Sequence, residues 1–162
     1  MSEPSYTFID GMLDQIQSGQ SSSPVSENLG MTLVAHARGQ ATYEMPVRKE
    51  LANPLGVVQG GIVTVLADAA MAAASTTILN DEEVTREAIT TVDLFSRFLR
   101  PVNLASAKVL RAEARVVRAG RQLIWMECDV TADGKEAGKF TATGVRVVFD
   151  PSEALMGAGQ GG

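Results

Sequence analysis

The run GGIVTVLADAAMAAASTTIL, residues 60–79, limits the possible folds more than any other stretch, because it is apolar on nearly every side. A helix lying on a surface shows one apolar stripe and one polar face, whereas a run like this one is buried on most sides. Two glycines open it, and Thr64, Asp68 and Ser75 are its polar exceptions. At about 100° per residue their spacing places them on one narrow stripe, so that stripe faces something polar. The alanine content and the interruptions at Thr64 and Asp68 distinguish the run from a membrane span.

What surrounds the helix is predicted to be sheet. Residues 29–47, LGMTLVAHARGQATYEMPV, read as two strand-like segments turning at Gly39, with His36 in the first as a structural residue. RKELANPLGVVQ, residues 48–59, reads as a loop because of Pro54 and Gly56. From Ala88 onward come four extended segments, AITTVDLFSRFL, SAKVLRAEARVVR, QLIWMECDVTA and EAGKFTATGVRVVF. The turns between them, at residues 101–103, 119–120 and 133–134, leave no room for crossover helices, so the four are expected to pair as an antiparallel meander. With the first hairpin this gives an α+β chain, about six antiparallel strands wrapped around one long central helix.

The ends add little to that core. Residues 6–17 carry Phe8, Ile9, Met12, Leu13 and Ile16 at helical spacing, which predicts an extra amphipathic N-terminal helix. SGQSSSPVS, residues 18–26, reads as a small-residue linker, and the Gly-rich end PSEALMGAGQGG, residues 151–162, as a flexible tail. The organisation is therefore residues 1–26 as helix and Ser-rich linker, 27–150 as a single domain, and 151–162 as tail. A chain of 162 residues that is 45% apolar can bury one ordinary core.

Charge and rare residues exclude several functions. A formal net charge of −5 argues against general binding to nucleic acid, which needs a basic balance. Within residues 97–121, however, stand Arg97, Arg100, Lys108, Arg111, Arg115, Arg118 and Arg121 against the single acid Glu113. Such a face suits a small anionic ligand, although solvated strand edges account equally well for any one of these residues. With one cysteine, Cys128, and one histidine, His36, the chain has neither an internal disulfide nor a Cys/His zinc cluster, and no metal is expected. The start, MSEPSYTFIDGM, lacks the positive and apolar regions of a signal peptide, so a soluble cytoplasmic protein without a membrane partner is expected.

Asp68 is the residue whose position most needs a cause. An ionised carboxylate among Leu66, Ala67, Ala69 and Ala70 costs several kcal/mol unless it is paired or neutralised. It either accepts hydrogen bonds across an interface or acts as a base or nucleophile of raised basicity. Gly60 and Gly61 pose a parallel choice. Their unpaired N–H groups at a helix start form a ready oxyanion site, or their small size lets the helix approach the sheet. Eight residues at about 1.5 Å each separate Gly60 from Asp68 by roughly 12 Å, too far for both to act on one carbonyl within one chain. If the two cooperate, the Asp belongs to a second subunit, and a two-fold dimer with antiparallel helices generates two equivalent sites.

The order of these motifs resembles the PaaI-like acyl-CoA thioesterases of the hotdog fold. The residues that carry the resemblance are Asn53, Gly56, Gln59-Gly60-Gly61, Leu66-Ala67-Asp68, Thr91-Val92-Asp93 and FLRPV, residues 98–102. The similarity runs over residues 28–149. It implies hydrolysis of an acyl- or aryl-CoA thioester, with Asp68 activating water or attacking the carbonyl and the Gly60 N–H holding the oxyanion. Asn53 is then expected to position the water or the partner's carboxylate, and Thr91 to help orient the nucleophilic water. The resemblance also implies a homodimer as the minimal active unit, a dimer-of-dimers tetramer, and no cofactor beyond the coenzyme A of the substrate. For the phosphates of coenzyme A the candidates are Arg97, Arg118, Gly120 and Arg121, and Gly61 is a further candidate substrate-binding residue. One position departs from the pattern, since Gln59 stands where the family has a histidine. A Gln amide donates a hydrogen bond but carries no proton near neutral pH. The alternative is therefore a non-catalytic acyl-CoA-binding or regulatory protein, and hotdog hydratase chemistry ranks last because His36 is not placed for it.

Overall fold

A computed structural model describes residues 23–79 and 87–148. A short helix α1 (Pro24–Leu29) leads into strands β1 (Thr32–Ala37) and β2 (Gln40–Pro46), then a 3-10 turn at Lys49–Leu51. The long helix α2 (Gly60–Thr76) follows, and after it β3 (Glu87–Phe98), β4 (Val109–Ala119), β5 (Leu123–Ala132) and β6 (Lys135–Val148). The six strands form one sheet in the order β1-β2-β4-β5-β6-β3, and every neighbouring pair is antiparallel.

The sheet curls around α2, which touches all six strands. The helix buries Val63, Leu66, Ala67, Ala70, Met71, Ala74 and Ser75. Alternation along the strands supplies the opposing surface: Tyr43 and Met45 from β2, Leu110 and Ala112 from β4, Ile124, Met126 and Val130 from β5, Phe140 from β6. Alanines on both sides let helix and sheet approach closely, so the core is thin and dense. The expected α+β architecture and buried central helix are what the structure contains. Among the described residues no helix is long and apolar enough to cross a membrane.

Three sequence expectations change. The four C-terminal segments do not form one meander: β4, β5 and β6 do, but β3 pairs with β6 and leaves its other side free. The cause is residues 99–108, which are a long connection rather than a tight turn. Leu99 and Arg100 donate to Ala137 O, Val58 donates to Val102 O, and Leu104 donates to Gly56 O. That ladder carries the chain across the end of the sheet, so β4 enters between β2 and β5. Next, the stretch read as linker contains the start of α1, because Pro24 sits at the first helical positions and Gly30, at φ 70°, ends the helix. Finally, Ser75 does not share a polar surface with Thr64 and Asp68. It is fully buried and donates to Ala72 O of its own helix at 2.8 Å. The predicted N-terminal helix at 6–17 and the tail at 151–162 lie outside the described residues.

Candidate active site

Helix α2 presents Thr64 and Asp68 to strand β3 as two rungs. Thr64 Oγ1 lies 3.2 Å from Ser96 Oγ and donates to Gly60 O at 3.1 Å. One turn further on, Thr91 Oγ1 donates to Asp68 Oδ1 at 2.9 Å. The second rung depends on an irregularity. Thr91 pairs with Gly144 and Asp93 with Thr143, so β3 carries one extra residue at Val92. Without that bulge Thr91 and Asp93 would point to the same face. With it, Thr91 turns in to α2, while Asp93 turns out and accepts the Thr143 N–H at 3.2 Å.

Asp68 is half-buried rather than enclosed, and it forms part of the wall of a cavity of about 290 Å³. Most of that wall is aliphatic, from Met31, Leu33, Val65, Ala69 and Ala72. Tyr43 and His36 also line it. Burial raises the Tyr43 hydroxyl pKa above its ordinary value. His36, read from sequence as a structural residue remote from the site, therefore shares a cavity with Asp68. Sequence reasoning missed His36 for a local reason. Leu33 faces Tyr43 and His36 faces Ala41, but the register slips between Leu33 and Ala35. A three-residue step thus stays on one face, which strict alternation forbids.

The start of α2 forms a second concavity, of about 300 Å³, lined by Asn53, Gly60, Phe98 and Arg100 among others. Gln59 caps the helix backbone without a side-chain cap bond; its N–H donates to Leu51 O at 2.8 Å, and its side chain is exposed. Among the described residues the N–H groups of Gly60 and Gly61 have no acceptor, as expected for the first turn of a helix. Asn53 Oδ1 is engaged by the Leu55 N–H at 2.9 Å, which leaves the side-chain amide as a donor. A Cβ at Gly60 would stand 3.1 Å from the Phe98 ring, so that ring packs directly on the helix start. At Gly61 a Cβ would meet nothing within 4 Å. Arg100, which the sequence offered only as one of seven basic residues, joins Asn53 and Gly60 here.

One chain therefore keeps its carboxylate and its open helix start in separate cavities, Asp68 with Thr91 in one and Gly60 with Asn53 in the other. The proposed phosphate ligands are scattered. Arg97 lies over the Phe95 ring at 5.6 Å and Arg118 over the Trp125 ring at 5.5 Å, both on the sheet face away from α2. Arg121 lines a different groove, with Glu87, Gln122 and Arg146. The Gly120 N–H is bonded to Leu123 O at 2.8 Å and is not available to a phosphate. Arg111 and Arg115 are paired with Glu44 and Glu113, and with Glu127 and Asp129. Cys128 offers no competing nucleophile, since burial pushes its thiol up to about 12 and keeps it protonated.

Comparison with known proteins gives a consistent result. The family model of the thioesterase superfamily matches residues 55–139. No curated protein matches the sequence. Among solved structures, a putative thioesterase of Ralstonia eutropha described as phenylacetic acid degradation-related is 29% identical, over 82% of this chain and 97% of its own, with a TM-score of 0.70. A mutant of the phenylacetic acid degradation protein PaaI from Thermus thermophilus is 28% identical, over 77% of this chain and 100% of its own, with a TM-score of 0.68. A thioesterase of Haemophilus influenzae, 21% identical over 90% of this chain and 93% of its own, shares the fold at a TM-score of 0.70.

Proposed function

The chain belongs to the thioesterase superfamily and is a thioester hydrolase, and from that premise we propose that it hydrolyses acyl- or aryl-CoA thioesters at a site shared between two subunits. The observation that carries this reading is the hydrogen bond from Thr91 Oγ1 to Asp68 Oδ1 on the wall of an apolar cavity. It holds one carboxylate oxygen and leaves the other for a water molecule. Asp68 takes a proton from that water as its oxygen attacks the thioester carbonyl carbon. The oxyanion of the tetrahedral intermediate is held by the Gly60 N–H of the second chain, with its Gln59 side chain donating nearby. Collapse breaks the C–S bond, and the coenzyme A thiolate leaves and is protonated by the acid Asp68 has become. Asn53 of the second chain donates to the attacking water or to the carboxylate. No cofactor takes part, because coenzyme A enters with the substrate and leaves as product.

Two features support the second subunit. Strand β3 is an edge strand with one unpaired side, and Val92 and Phe98 on it are exposed. On α2, Ile62, Val65, Ala69, Ala72 and Ala73 are only half-buried in the single chain, and all but Ile62 line the cavity beside Asp68. A two-fold axis beside β3 extends the sheet and sets the helices antiparallel, so Asp68 of each chain meets Gly60 of the other. Pairing of two such dimers gives the tetramer. Arg100, which lines the same concavity as Asn53 and Gly60, is the basic residue of this chain best placed for the charged end of coenzyme A, whereas Arg97, Arg118 and Arg121 lie on other faces.

Steady-state hydrolysis of a panel of acyl- and aryl-CoA thioesters tests the proposal. Asp68→Asn is expected to lower kcat at least about 100-fold, with substrate binding retained. Micromolar binding of acyl-CoA by the wild type without any turnover would support the binding-protein alternative, for which Gln59 in place of histidine is the motivating feature.

A further inference from the structure

Of the two rungs between α2 and β3, hydrolysis uses only Thr91 with Asp68. The other, Thr64 with Ser96, has no part in it. Packing does not call for hydroxyls there. On β3, Ser96 stands between Leu94, which packs against the core, and Phe98, which packs on the helix start at Gly60, so an apolar residue would fill its place as well. Thr64 and Ser96 are half-buried, open in part to whatever lies beside β3. Thr64 Oγ1 gives its proton to Gly60 O at 3.1 Å, so in the 3.2 Å contact Ser96 Oγ is the donor. Gly60 O also takes the N–H of residue 64 in the helical pattern, so the Thr64 hydroxyl can turn away without leaving that carbonyl unpaired.

Residue 64 lies midway between residues 60 and 68. When two α2 helices run antiparallel about a two-fold axis, with Gly60 of each against Asp68 of the other, Thr64 is the residue that meets its own copy on the axis. We propose that the Thr64 and Ser96 hydroxyls of both chains cluster on that axis and fix the register in which Asp68 of one chain faces Gly60 of the other. Both are then positioning residues, acting through Asp68 and Gly60. The proposal rests on the shared-site reading given above and adds the contact that holds such a site together. An apolar contact is non-directional and tolerates a slip along the helix. Hydroxyls that slip are left buried without partners, and for that reason a single polar contact in an apolar interface specifies register.

Cross-linking tests the placement. Helices packed about 8–10 Å apart, with Cα atoms about 2.3 Å from each helix axis, bring facing Cα atoms to about 4–6 Å, within the reach of a disulfide. Oxidation of Thr64→Cys is therefore expected to give a covalent dimer. Ala72→Cys, on the same helix, should give none, because in this register its two copies lie about 24 Å apart along α2. The native Cys128 does not interfere, being buried with its thiol pushed up to about 12. Kinetics test the positioning. Thr64→Val keeps the shape and loses the hydroxyl, and kcat should fall about tenfold with KM within about twofold, since base and oxyanion donor are both present but misplaced. Thr64→Ser restores the hydroxyl and should hold kcat within about twofold of wild type. Ser96→Ala should repeat the Thr64→Val result, and it carries the test if that variant does not fold. A packing role alone predicts the reverse order, with Thr64→Val unaffected and Thr64→Ser, which loses a methyl group, the less stable by thermal unfolding. That order overturns the proposal. So does a wild type that hydrolyses thioesters and is dimeric by native mass spectrometry while Thr64→Cys fails to cross-link; the hydrolase reading then stands. If wild type turns over no acyl- or aryl-CoA thioester, the hydrolase reading falls and takes the positioning role with it.

Discussion

Asp68 was legible as a candidate functional residue because a carboxylate inside an apolar helix is costly to keep unless it has a task. The structure adds its partner and its exposure: the carboxylate accepts from Thr91 at 2.9 Å, and it borders a cavity instead of being sealed in the core. Gln59 was equally visible, as the one departure from the family pattern that the motif order resembles. Its side chain is exposed and makes no cap bond, so nothing in the single chain restrains it from reaching a bound carbonyl. Whether a hydrogen bond suffices there, or a proton is needed, is decided by Gln59→His. If the leaving thiolate needs an acid, this variant raises kcat tenfold or more, equivalent to about 1.4 kcal/mol off the barrier. If it departs unaided, kcat stays within about twofold, and pH–rate profiles of the two proteins coincide. Tyr43 and His36 could not be assigned in this way. Their meeting depends on a register slip in β1 that leaves no trace in residue types.

At the scale of elements, composition and periodicity gave the buried helix, the first hairpin and the existence of every later strand. They did not give strand order, because that depends on where a connection lies and not on how apolar it is. Residues 99–108 resemble a turn through Pro101 and Asn103, yet their backbone bonds to Gly56, Val58 and Ala137 tie them across the end of the sheet. The bulge at Val92 was equally hidden, and it is what aims Thr91 at Asp68. Gly144 sits opposite Thr91, and a Cβ there would lie 2.6 Å from Ile89 Cγ2 and 3.1 Å from Met126 Cε. Gly144→Ala therefore forces β3 away from β6 at the position that sets Thr91. We expect a loss of about 1–3 kcal/mol in stability, read by thermal or urea unfolding, together with a fall in kcat larger than any change in KM. Gly61→Ala is the contrasting case, since its Cβ meets nothing within 4 Å, and it should shift stability by no more than about 0.5 kcal/mol. Equal losses in the two variants would mean that glycine flexibility, and not space beside Thr91, is what matters.

At the scale of the molecule, the proposed reaction needs two chains. Within one chain the carboxylate and the free helix-start N–H groups occupy different cavities, separated by about 12 Å along α2 from the helical rise alone. The distance was computable from sequence, whereas the free edge of β3, on which the proposed second copy would pair, was not. Subunit mixing tests the shared site directly. Asp68→Ala removes the proposed base, and Gly60→Pro removes the proposed oxyanion N–H at the first helical position, where the proline backbone suits the helix but its Cβ stands 3.1 Å from the Phe98 ring, so circular dichroism first checks that this variant folds. A heterodimer of the two joins an intact Asp68 from one chain to an intact Gly60 from the other at one of its sites. The second site carries both defects. Random exchange of equal amounts makes half the molecules heterodimers, so about a quarter of wild-type activity should return from two inactive parents. Native mass spectrometry establishes how far exchange has gone. Complete exchange of folded chains without recovered activity would mean that Asp68 of one chain does not act with Gly60 of the other, and because no straight helix brings residues 60 and 68 to one carbonyl, the two would then not share a site at all.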